Sequence, residues 1–125
     1  MRKQYHFRKS ETGILAWDVH RLIELVKGLP VIEIPLSKID EFDQEFWFEI
    51  GGSKPTCRNI AEHMKLVNNT SMDYPIILCS KGKIMDGMHR VCKAHLNNHE
   101  TIRAVQFSHF IEPDYVGVEP KNLPY

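Results

Sequence analysis

The chain has 125 residues, 42% hydrophobic and 26% charged, which is the make-up of a soluble globular domain able to bury a core without disulfides or a structural metal. Sixteen basic residues balance sixteen acidic ones, so the surplus of positive charge that drives counterion release from nucleic acid is missing and non-specific nucleic-acid binding is disfavoured. Cys57, Cys79 and Cys92 form no CxxC pair, no signal peptide is legible and no apolar run approaches about 20 residues, so the expectation is a reduced, cytoplasmic protein with no membrane partner.

The chain opens on its one basic cluster, Arg2, Lys3, Arg8 and Lys9, read as a solvated arm. Leu15, Val19, Leu22, Ile23, Val26 and Leu29 fall at helical spacings and predict a helix over 15–28, stopped by Gly28 and Pro30. Apolar residues over 31–39 predict a strand, with Pro35 at its end or on a sheet edge. Phe42, Phe46, Trp47, Phe48 and Ile50 then precede the loop Gly51-Gly52-Ser53-Lys54-Pro55. No basic residues interleave with these aromatics, so they read as core or as a surface for a protein partner rather than as a base-stacking platform. The loop lacks Walker A spacing and is either a lid over a site or a surface connection.

Ile60, Met64 and Val67 predict a second helix near 57–68, with Arg58 at its start as a candidate for the same cleft. Residues 75–79 form a short apolar strand, and Ser80-Lys81-Gly82-Lys83 turns it into a hairpin with Ile84 and Met85. Beyond Asp86 and Gly87, one apolar face of Met88, Val91, Cys92, His95 and Leu96 predicts a third helix, with His95 as a hydrogen-bonded core residue. Asn97-Asn98 ends it in the left-handed conformation and separates His95 from His99, which argues against a zinc pair. A strand follows over 101–107, and 108–125 is a tail packed on the body or on a partner.

The chemistry concentrates at Asp86-Gly87-Met88-His89-Arg90. A strand that bends through glycine into a helix presents unpaired amides and a partial positive charge, a combination that attracts phosphate. Gly87 lets an anion approach the backbone, Arg90 offers a bidentate fork, and His89 can donate a hydrogen bond or move a proton. Asp86 is open to two readings, a metal-binding or catalytic carboxylate and a helix cap. Arg90 can also pair with Asp86 across one turn. Cys92 reads as core packing.

The stretch DYPIILCSKGKIMDGMHRVCKAHLNNHETIRAVQF, together with VIEIPLSKI upstream, resembles the ParB/sulfiredoxin superfamily. There, a Pro-led strand, a hairpin, a G-x-H-R-like motif, a helix and a closing strand recur in this order. The resemblance covers 31–107 and implies a single α/β (α+β) domain over 1–125, with a small mixed sheet and about three helices. Sulfiredoxins carry GGCHR and use the cysteine on an oxidised peroxiredoxin; Met88 cannot form a thiolate, so that activity is not implied. ParB proteins carry GERR, bind CTP and continue into a helix-turn-helix domain, whereas this chain has Met-His in place of Glu-Arg and ends 18 residues after Phe107. Free-serine kinases carry DGHHR, the nearest match to DGMHR, although no substrate-side residues correspond.

The resemblance implies that Gly87, Met88, His89 and Arg90 bind a nucleotide (ATP, ADP or CTP, with Mg2+) or a phosphorylated small molecule. Asp86 and His89 are then the catalytic pair of a phosphotransferase, and Asp86 the possible metal ligand. Two alternatives stay open. One is a nuclease, drawing on Asp86 with Glu33 or Asp73. The other is a non-catalytic nucleotide- or protein-binding module whose contacts are 42–50 and 111–125.

Overall fold

The computed structural model describes residues 3–49 and 54–125. Its order is β1 (Tyr5–Ser10), β2 (Gly13–Asp18), α1 (Val19–Leu25), β3 (Ile32–Pro35), α2 (Cys57–Asn69), β4 (Ile76–Leu78), β5 (Ile84–Asp86), α3 (Met88–Leu96), β6 (Thr101–Gln106) and β7 (Tyr115–Val116), with short 3-10 turns at Leu36–Lys38, Asp40–Asp43 and Pro120–Asn122. The class is α+β, with three helices and two sheets. No helix among the described residues is long and apolar enough to cross a membrane.

The larger sheet is mixed, in the order β3-β6-β4-β5, with β4 and β6 parallel and the outer pairs antiparallel. Side chains alternate between the faces of a strand, and here both faces are buried. Ile76, Leu78, Ile84 and Ala104 pack under Met88, Val91 and Ala94 of α3. Ile77, Met85, Val105 and Phe107 pack against Trp17 and Leu22 on the other side. β3 is an edge strand ending at Pro35, where a missing N–H costs no ladder bond. On the opposite edge the buried Glu41 accepts from the Ile84 amide at 2.6 Å, which ties the 3-10 turn to β5.

The second sheet, β1-β2-β7, departs from the sequence reading. Residues 15–18 of the expected 15–28 helix belong to β2, which pairs in register with β1 from Tyr5↔Asp18 to Ser10↔Gly13. The helix begins only at Val19, where Asp18 caps it by accepting from the His20 amide at 2.9 Å, and it ends at Leu25. Leu15, Val19 and Leu22 satisfy a helical period by coincidence, because a ladder with β1 outweighs so short a run. Lys3 and Arg8 are correspondingly not on a loose arm: Arg8 is in β1 and Lys3 leads into it. The tail packs on the body, through β7, Leu123 and a bond from Trp17 Nε1 to the Ile111 carbonyl.

Candidate functional site

The turn between β5 and α3 is built around Gly87, whose φ of +112° is strained for any residue with a side chain. A Cβ there would sit 2.6 Å from Ile76 Cγ2 and 2.9 Å from Arg90 Nη2. That space is therefore filled by protein, and the expectation that Gly87 opens the backbone to an anion needs correction on this side. The helix end itself is as expected. Among the described residues no side chain caps the start of α3, because Gly87 stands at the cap.

Asp86 is not a cap. Its Oδ2 accepts from Arg90 Nη2 at 3.0 Å, one turn away, and both side chains are largely buried. Arg90 Nη2 also donates to the Pro75 carbonyl at 3.4 Å, while its Nε is buried with no partner among the described residues. A buried guanidinium donor left without an acceptor is costly. Arg90 as a residue lines the adjoining cleft. Met88, expected among the ligand-binding residues, has its side chain in the core beneath α3.

The cleft has a volume of about 670 Å³ and is lined by Asp86, Gly87, His89 and Arg90 together with Lys3, Asn69 and Thr70. Lys3 lies 4.0 Å from Asp18 in a loose ion pair, so a second cation borders the opening. Lys93 Nζ donates to the carbonyls of Asn68 and Thr70 at 3.2 and 2.8 Å, and this clamps the end of α2 against α3.

His89 belongs to a cluster that motif reading did not find. His63 Nδ1 and His89 Nε2 are 3.0 Å apart and share a hydrogen bond. The Trp47 indole stacks on both rings, with centroids 4.2 Å from His63 and 4.7 Å from His89, and Phe48 meets His63 edge-on at 5.5 Å. Burial, then the proximity of His63 and Arg90, pushes the His89 imidazole down to about 4, and burial lowers His63 as well. Burial thus favours the neutral form in both rings. The sequence did hold a signal for His63: it is a polar residue inside the apolar stripe of Ile60, Met64 and Val67.

No family model matches the chain, and no curated protein or solved structure matches it either. The functional reading therefore stands on this geometry and on the motif.

Beyond the imidazole pair lies an apolar groove of about 320 Å³ between α2 and α3, bordered by Phe48, His63, Met64, Cys92 and Leu96. Cys92 packs against the core as expected, and burial raises its thiol. His95 is exposed, with its ring against Phe42 at 5.0 Å, and so is not the core histidine expected. Arg58 is exposed and does not line the cleft. The suggested lid at Gly51, Gly52 and Ser53 lies outside the described residues.

The acidic residues do not gather. Among the described residues Asp86 is the one acidic side chain lining the cleft and is engaged by Arg90, while Glu33 lines a different cavity beside Arg103. Among the described residues no three His, Cys, Asp or Glu side chains could hold a metal together. Mg2+ at a nucleotide site takes only one or two carboxylates beside the phosphates, and the one expected here, Asp86, is held by Arg90.

Proposed function

We propose that the chain binds a nucleotide or another phosphate ester at the amino end of α3, as a ParB/sulfiredoxin-like domain. The observation that carries this reading is an uncapped helix start beside Arg90, whose buried Nε lacks an acceptor. The likeness of 86–90 to the DGHHR of free-serine kinases supports it. In this reading the amides of Met88 and His89 and the Arg90 fork hold phosphate oxygens, and Lys3 adds charge at the rim. Asp86 acts as a positioning residue that fixes the guanidinium, a different part from the metal ligand or catalytic carboxylate first expected. His89 is the remaining proton-handling group. Phosphoryl transfer to a small molecule is the activity this arrangement favours.

Thermal shift and calorimetry with ATP, ADP, CTP and inorganic phosphate, each with and without Mg2+, test the proposal. Stabilisation by at least one of them, lost in Arg90→Ala, is the expected result. No stabilisation by any of them overturns it. A non-catalytic, protein-binding module is the second reading, favoured by Ile60, Met64 and Leu96, which stay exposed along the apolar groove.

A further inference from the structure

We propose that His63 and His89 form a proton relay, carrying a proton from a ligand in the polar cleft to the mouth of the apolar groove. His89 lines the cleft and His63 lines the groove, so the hydrogen-bonded pair spans the wall between the two cavities. The ring centres are 5.2 Å apart and the planes 22° apart, with the bonded nitrogens at 3.0 Å. The line between centres therefore runs nearly through both nitrogens, which point at each other. A metal held by the pair would need them aimed at a common point off that line.

Each imidazole keeps one further nitrogen, His89 Nδ1 and His63 Nε2, with no protein hydrogen bond among the described residues. Two arrangements of the neutral pair differ only in where the protons sit. In one, His89 Nε2–H donates to His63 Nδ1; in the other, the direction is reversed. When His89 Nδ1 takes a proton, Nε2 hands one to His63, and His63 Nε2 releases one. Neither ring then has to persist as a cation, the form that burial disfavours in both. Trp47 covers both rings on one face and holds them side by side.

In catalysis this use rests on the nucleotide reading above. The hydroxyl of an acceptor in the cleft attacks the terminal phosphorus of a nucleoside triphosphate. The new O–P bond forms while the bond to the bridging oxygen breaks, and its electron pair leaves with the diphosphate. The hydroxyl proton passes to His89 Nδ1, and one proton emerges from His63 Nε2 into water.

Long-range 1H–15N correlation spectra of the full chain, with 15N-labelled histidine at neutral pH and with and without inorganic phosphate, test the relay. The expected result is 15N shifts for His63 Nδ1 and His89 Nε2 that lie between the protonated and unprotonated limits. In His63→Phe, which keeps a ring against Trp47, His89 should collapse to one tautomer. Bridging nitrogens fixed at opposite limits overturn the relay, even where phosphate binds. Averaged shifts that phosphate leaves unmoved keep the relay and count against the phosphate reading. If His63→Phe does not fold, the same averaging in the unsubstituted chain decides.

Discussion

His6, which is buried, and His89, which is half-buried, both stack on aromatic rings and make one ring-to-side-chain hydrogen bond, yet they are built for different ends. His6 lies between Trp17 and Phe46, and its Nε2 accepts from Arg8 Nε at 2.9 Å. Burial, then the Arg8 charge, pushes its imidazole down to about 3. A guanidinium never gives up its proton in a protein, so the tautomer of His6 is locked. Arg8 further reaches the Ile84 carbonyl at 3.2 Å and lies over the Trp17 ring, so the partner of this histidine joins the two sheets. His89 has a second imidazole where His6 has an arginine. An imidazole both gives and takes a proton, so the bonding partner makes a mobile proton in one place and a fixed strut in the other.

The largest expected effect separates strut from relay. Arg8→Ala strands a buried ring nitrogen and uncovers Trp17, and it should cost about 3 kcal/mol. His63→Ala removes one partly buried bond and should cost about 1 kcal/mol. Urea unfolding of both variants checks this, and equal losses would erase the distinction.

Acid titration sharpens it. His6 has an ordinary value of 6.5 when unfolded and about 3 when folded, so on acidification the unfolded chain takes up a proton that the folded chain refuses. Its contribution to stability is complete above 6.5 and is lost as pH falls toward about 3. His89 acts in the same direction from 6.5 down to about 4. His6→Phe should therefore flatten the lower part of the acid limb, below about 4, where His89 no longer contributes. A limb unchanged by His6→Phe would contradict the assignment.

A smaller effect concerns the indole. Trp47→Leu uncovers the pair, and because burial is the main cause of the low His89 value, that value should climb toward 6.5 while His6 stays put. Histidine proton shifts followed against pH measure both at once. The smallest is a control: His95→Ala, at an exposed ring, should change stability by less than about 0.5 kcal/mol.

The amino-acid sequence by itself determined whatever depends on neighbours along the chain. The hairpin through Gly82 at φ +80°, the bend at Gly87, the third helix ended by Asn98 at φ +60° and the closing strand are all set by local turn chemistry and short-range periodicity. So is the Asp86–Arg90 pair, one helical turn apart. Tertiary structure decided the rest, because it depends on partners far away in sequence. Residues 15–18 became part of a strand only when β1 supplied a ladder, against the helical spacing that runs from Leu15. Glycine is required at position 87 partly by Ile76 on another strand, which no local rule reveals. His63, 26 residues from His89, met it only because α2 packs on α3 and Trp47 closes over both. An imidazole becomes a strut or a relay according to which side chain folding brings to its free nitrogen, and periodicity carries no information about that.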